Sequence, residues 1–157
     1  MGSEMCIRDR PQVVLGIAFG WGIPMAFAAE TETVPAVAWW LLGINTVWSV
    51  IYDTQYAMVD RDDDLKIGIK STAVFFGQYD KLAIAALHAL CIAILIWVGL
   101  LEQLGTEYYL GLAGAVGLFG YQQWLIRDRQ REGCFKAFLN NHVAELLVLL
   151  GIIAAYW

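Results

Sequence analysis

The sequence predicts an all-α, polytopic membrane helical bundle with five transmembrane helices. Three observations predict it: the composition, the spacing of the apolar runs, and the sorting of basic residues into alternate loops. Hydrophobic types make up 59% of the 157 residues and charged types only 16%, with a mean hydropathy of +0.57. A typical soluble domain is about 25% charged. A chain this short has a large surface for its volume, and the polar residues present are too few to cover it. A transmembrane helix takes ~20 residues, so there is room for about five or six spans and no second domain.

The first apolar run covers about 12–29. Arg8 and Arg10 ahead of it, with Ala26-Phe27-Ala28-Ala29 at its end, also have the form of a secretory signal with an A-x-A cleavage site. Trp21 and Pro24 near the end of the run favour a retained span. The second run covers about 34–56 and continues into polar sequence; the third, fourth and fifth cover about 82–101, 108–126 and 143–157. Trp39 and Trp40, Tyr108 and Tyr109, and Tyr156 and Trp157 stand at span ends, where amphipathic rings favour the headgroup level.

All 10 basic residues fall in three places: Arg8 and Arg10; Arg61, Lys66, Lys70 and Lys81; and Arg127, Arg129, Arg131 and Lys136. These precede span one, follow span two and follow span four. The other two loops hold Glu30, Glu32, Glu102 and Glu107 and no Lys or Arg. The positive-inside rule places the basic loops and the N-terminus in the cytoplasm, with the acidic loop 53–81 among them. The net charge of −5 and the absence of a basic stripe argue against nucleic acid as a partner. Cys6, Cys91 and Cys134 are scattered and show no metal or disulfide spacing.

Chemistry concentrates where span two ends. Asn45, Ser49, Asp53, Tyr56 and Asp60 follow one another at intervals of 4, 4, 3 and 4, which places them on one face of a helix. Asp64 extends that stripe if the helix continues. A charge at the edge of the hydrocarbon is costly and is read first as functional, which singles out Asp53. Asp62 and Asp63 fit a solvated loop equally well. Several carboxylates on one face repel unless a cation joins them. Hard oxygen ligands suit Mg²⁺, which keeps waters and bridges carboxylates to phosphates. Arg61, Lys66 and Lys70 stand beside these acids, as a bound diphosphate requires. A calcium loop of the EF-hand type fails, because Leu65 stands where Gly is needed and Ser71 where Glu is needed.

The run from Tyr52 through Asp53, Tyr56, Asp60 and Arg61 to Asp64, followed by Lys66-Ile-Gly-Ile-Lys70, resembles the second aspartate-rich motif of the UbiA superfamily of membrane prenyltransferases. Gln12-Val-Val-Leu-Gly16, Gly22-Ile-Pro-Met-Ala-Phe-Ala28, Gly77-Gln-Tyr-Asp-Lys81, Tyr121-Gln-Gln123 and Cys134-Phe-Lys-Ala-Phe138 extend the resemblance over residues 11–157. It implies a nine-span helical bundle around a cavity open to lipid, of which the five spans here correspond to the C-terminal part. It implies Mg²⁺ as cofactor and transfer of a polyprenyl group from polyprenyl diphosphate to 4-hydroxybenzoate in ubiquinone synthesis, at a bacterial inner membrane.

On this resemblance Asp60 and Asp64 match the DxxxD positions and Asp53 the aspartate before them, as catalytic and metal-binding residues. Arg61, Lys66, Lys70 and Tyr56 are the candidates for diphosphate contact. The family's first motif, of the NDxxDxxxD kind, does not occur in the 157 residues. The expectation is a C-terminal part of such an enzyme, inactive by itself. Residues 1–10 resemble nothing in the family and are expected to be a foreign leader.

The other features read more simply. His88 is expected to pack rather than to ligate, and Asn140, Asn141 and His142 to cap the start of span five. Gly111, Gly114 and Gly117 are expected to permit close helix packing. An alternative of another class is a small cation channel or carrier that assembles from several five-span chains around the acidic stripe.

Overall fold

Apolar runs this long fold as helices, because every backbone polar group in hydrocarbon must be satisfied within the segment. The computed structural model describes residues 11–68 and 71–157, and among them there are helices and no strand. In chain order these are α1 (Pro11–Gly20), α2 (Gly22–Thr31), α3 (Ala36–Ile67), α4 (Thr72–Phe76), a 3₁₀ turn (Gly77–Tyr79), α5 (Asp80–Leu101), α6 (Thr106–Leu125) and α7 (Arg131–Ala155). The expected leader at 1–10 lies outside the described residues. Among the described residues three stretches are long and apolar enough to cross a membrane: Val14–Thr31, Thr72–Leu101 and Arg131–Ala155. α3 and α6 have the length, 32 and 20 residues, but are more polar. α3 carries the acidic stripe, and α6 contains four glycines and two glutamines.

Element boundaries differ from the sequence expectation at three places. The first run is interrupted at Trp21, so it forms α1 and α2 rather than one rod. α3 runs on past the apolar segment to Ile67, where Gly68 in the left-handed region (φ 74°) ends it and its N–H bonds the Asp64 carbonyl. α7 begins at Arg131, well before its apolar part. Its first turns are supported by the Glu132–Lys136 pair, 2.7 Å apart and one turn along the helix. Asn141 therefore sits mid-helix and does not cap an N-terminus.

The core follows helical periodicity. In α5 the buried positions are Asp80, Ile84, His88, Cys91, Leu95, Val98 and Gly99. In α6 they are Tyr108, Leu112, Ala115, Phe119 and Gln122, and in α7 Cys134, Ala137, Asn141, Ala144, Val148 and Gly151. Alternating steps of three and four are the seam of near-parallel helix packing. α6 and α7 share the most extensive interface, and α3 packs against α1, α2, α4, α5 and α7.

Small residues set the closest approaches. A Cβ on Gly111 would stand 2.5 Å from the Leu147 carbonyl oxygen, and one on Gly16 would stand 2.9 Å from the Ser49 Cβ. Gly114 also faces α7, whereas Gly117 meets nothing within 4 Å, so that part of the expected glycine seam is not used. Large apolar side chains such as Leu82, Leu110 and Leu149 point outward. That suits a bundle whose surrounding solvent is lipid.

Candidate functional site

The acidic stripe exists as a continuous helix face, because α3 extends through Asp64. Its inner end, Asn45 and Ser49, lines a cavity of about 510 Å³. Ile44, Trp48, Tyr52 and Phe138 form its apolar wall, with His142 and Glu145 of α7 also lining it. Phe138 links this wall to the stripe, since its ring meets Tyr56 edge-on at 5.2 Å. Asp53, Asp60 and Asp64 are each partly exposed, and Tyr56 is exposed. The stripe thus runs from a largely apolar cavity to the charged end of the bundle.

From the cavity wall at Trp48 and Asn141 a chain of neutral polar groups runs into the interior. The Trp48 indole N–H donates to Asn141 Oδ1 (3.3 Å), and Asn141 Nδ2 donates to Gln55 Oε1 (2.7 Å). Gln55 Nε2 donates to Gln122 Oε1 (2.9 Å), and Gln122 Nε2 donates to Asn140 Oδ1 (3.2 Å). All four bonds point the same way, and Gln55 and Gln122 have no exposure. Buried amides are costly unless paired, so the chain fixes how α3 is rotated against α6 and α7. That rotation turns Gln55 inward and Asp53 outward.

Ion pairs organise the charged end, and they divide the aspartates. Arg131 Nη2 donates to Asp63 Oδ2 at 3.0 Å and stands 4.0 Å from Asp62. Lys66 Nζ donates to Asp63 Oδ1 at 3.1 Å. Hydrogen bonds from Lys66 and Arg131 hold the Asp63 carboxyl below the usual carboxylate range. Asp53, Asp60 and Asp64 have no ion-pair partner among the described residues. The acids split into a neutralised pair beside the loop of residues 126–130 and a stripe left free to meet a cation. Among the described residues no three His, Cys, Asp or Glu side chains form a group that could by itself hold a metal. Two carboxylates one turn apart fit Mg²⁺ only as part of a shell completed by water, phosphate oxygen or further ligands.

The other expected contacts are placed as follows. Arg61 turns about 100° away from Asp60 around the helix, and its Nη1 donates to Asp80 Oδ2 at 3.2 Å. Lys66 is exposed and engaged with Asp63. Lys70 lies outside the described residues. His88 stacks on Phe119 with ring centroids 3.9 Å apart, as a packed rather than a ligating histidine.

Two groups were missed in the sequence. The first is the amide chain: Gln55, Gln122 and Asn141 could have been flagged as polar residues inside apolar or seam positions. The second is Asp80, a lone acid just ahead of the apolar part of α5. No local spacing connects it to Arg61 or Arg129.

A match to the model of the UbiA prenyltransferase family spans residues 10–150. The chain belongs to this family. Its similarity to individual family members is also close. It is 60% identical over 143 residues to a 4-hydroxybenzoate octaprenyltransferase of Alkalilimnicola ehrlichii, covering 91% of this chain and 49% of that protein. It is 56% identical over 146 residues to one of Aeromonas hydrophila, covering 93% and 51%. It is 57% identical over 147 residues to one of Escherichia coli O9:H4, covering 94% and 51%. The chain spans about half the length of the curated relatives it matches. No solved structure matches it. Family membership accounts for the apolar helices and establishes a membrane setting for the bundle.

Proposed function

We propose that the complete protein transfers a polyprenyl group from polyprenyl diphosphate to 4-hydroxybenzoate in ubiquinone synthesis, and that this chain supplies one side of the site. The observation that carries this reading is the unpaired stripe. Asp53, Asp60 and Asp64 share one face of α3 with Asn45 and Ser49 of the cavity wall, while the neighbouring Asp63 is neutralised by Arg131 and Lys66. Asp60 and Asp64, with Asp53, are the residues to hold Mg²⁺. The metal would supply the positive charge that stabilises the departing diphosphate.

The residues of the chain have separate tasks. Lys66 adds positive charge near the mouth and Tyr56 offers a hydroxyl beside it, with Lys70 a further candidate from the sequence, whereas Arg61, paired with Asp80, is not free to contact the diphosphate. The apolar wall of Trp48, Tyr52 and Phe138 excludes water from the carbon that becomes electron-poor as diphosphate leaves. The C–O bond to diphosphate breaks with its electron pair leaving on diphosphate, the ring carbon ortho to the hydroxyl attacks the resulting allylic cation to form the C–C bond, and the ring regains aromaticity by losing the proton from that carbon. In this reading the mouth faces the cytoplasm and the chain crosses the inner membrane five times; the sorting of basic residues into alternate loops supports it under the positive-inside rule.

The test is an assay of the full-length protein in membranes with a polyprenyl diphosphate, 4-hydroxybenzoate and Mg²⁺. Prenylated product is expected, with none above background for Asp60→Asn or for residues 11–157 expressed alone. Full activity in Asp60→Asn would remove Asp60 from the site. Mg²⁺-dependent product from residues 11–157 would overturn the shared-site reading.

A further inference from the structure

Beyond the stripe, the structure holds a buried carboxylate that is not part of the 510 Å³ cavity and that lines a smaller one, of about 190 Å³, with Arg61, Asp62, Arg129 and Arg131. Asp80, the first residue of α5, has no exposed side-chain surface. It accepts from Arg129 Nε (2.9 Å) and Nη2 (2.6 Å), from Arg61 Nη1 (3.2 Å) and from the Lys81 backbone N–H (2.7 Å). The Arg129 and Arg61 guanidinium groups and the Lys81 N–H supply the partners that a buried carboxylate requires. Arg129 is itself constrained: its backbone is in the left-handed region (φ 51°), uncommon for a residue with a side chain. Its Nη2 also donates to the Gln78 carbonyl at 2.9 Å. Lys81 Nζ donates to the Arg127 carbonyl at 2.9 Å, closing the same junction from the other side.

The end of α3 needs such a junction. The helix has 32 residues, or about 48 Å at ~1.5 Å per residue, against about 30 Å of hydrocarbon. Asp60 and Asp64 lie on the part that projects. The interior hydrogen bonds of α3 end at Gln55 and at Thr54, whose hydroxyl donates to that of Thr72 at 2.8 Å. Ala57 and Met58 are still buried in the core, and the next polar tie into the bundle is Arg61 on Asp80. Because Arg61 and Asp60 are neighbours about 100° apart around the helix, directing Arg61 at α5 turns Asp60 well off that direction, on the face it shares with Asp53 and Asp64.

We propose that Asp80 is a positioning residue: through Arg61 and Arg129 it fixes the direction and rotation of the projecting end of α3, and so the placement of Asp60 and Asp64. This rests on the proposed function for its consequence, the metal–diphosphate site, but not for the anchoring itself. Groups one step removed from metal ligands typically change metal affinity by about 10–100-fold when lost.

The experiment uses the full-length protein in lipid nanodiscs, with Asp80→Asn, Asp80→Glu, Arg61→Met and the Asp80→Asn/Arg61→Met double variant. Hydrogen exchange is read without ligand over residues 59–68, and Mn²⁺ binding is read by paramagnetic resonance with inorganic diphosphate present. Asp80→Asn is expected to speed exchange over 59–68 about tenfold and to weaken Mn²⁺ binding about tenfold, with α6 and α7 unchanged. Arg61→Met should reproduce the exchange change, the double variant should add little to it, and Asp80→Glu should restore most of it. Unchanged exchange over 59–68 in Arg61→Met would overturn the proposal, and that variant retains the Asp80–Arg129 pair should Asp80→Asn fail to fold. Exchange raised equally along α3, α5 and α6 would overturn it too, by making Asp80 a general stabiliser. If the parent protein transfers no prenyl group, the proposed function falls, and the exchange pattern still decides the role of Asp80.

Discussion

Between Trp48 and Gln55, α3 is fastened to α6 and α7 by an indole and neutral amides. Between Arg61 and Asp63 the same helix is fastened to α5 and α7 by guanidinium–carboxylate pairs. The change of chemistry occurs where the helix leaves the apolar part of the bundle. In a medium of low polarity an ion must be desolvated at large cost, whereas an amide needs only a partner. Near water, ions are cheap to hold but weak in effect. The inner half of α3 is thus held where hydrogen bonds are costly to lose, and the outer half by contacts that are individually small. Asp80 is the exception at the outer end, a buried acid paired with two arginines.

This contrast can be broken in three ways. The largest effect is expected from Gln55→Glu. It puts a carboxylate at a position with no exposure and removes the donor to Gln122. A charge at such a depth costs about 2.5–3.5 kcal/mol, to be read as lost stability in a reversible detergent unfolding titration. A cost near zero would mean that water reaches the interior chain. A middle effect is expected from Asn141→Leu, which strands the Trp48 N–H and the Gln55 carbonyl. The same titration should show a loss of about 1–3 kcal/mol. The smallest is expected from Arg131→Ala, since Arg131 and Asp63 are both more than half exposed, and such pairs contribute about 0–1 kcal/mol. Salt sharpens the comparison. Raising it to about 0.5 M should speed hydrogen exchange over residues 62–66 and leave residues 48–55 unchanged, because only exposed charges are strongly screened.

Much of this was legible along the chain. The stripe from Asn45 to Asp64 could be read from intervals of three and four, because helical periodicity is a property of neighbouring residues. The apolar runs gave the helices for the same reason. Helix ends were less legible. α7 starts at Arg131 because polar residues such as Glu132 and Lys136 pair along it, and hydropathy does not register a helix that projects beyond lipid. Asn141 looked like a cap for a span beginning near residue 143. It proved to be the centre of the amide chain, and its partners Trp48 and Gln55 lie 93 and 86 residues away in sequence.

The sequence by itself determined the membrane class, the helical runs, the shared face of Asp53, Asp60 and Asp64, and the resemblance to the family. These depend on composition and on spacings within one helix. Only the tertiary structure decided which acids are neutralised and which stay open, that Arg61 turns to Asp80, and that Gln55, Gln122 and Asn141 form one chain. Each of those outcomes depends on which helix faces which. That is set by packing small residues such as Gly16 and Gly111 against distant backbone and by pairing every buried polar group, and neither can be read from the order of residues along one strand of sequence.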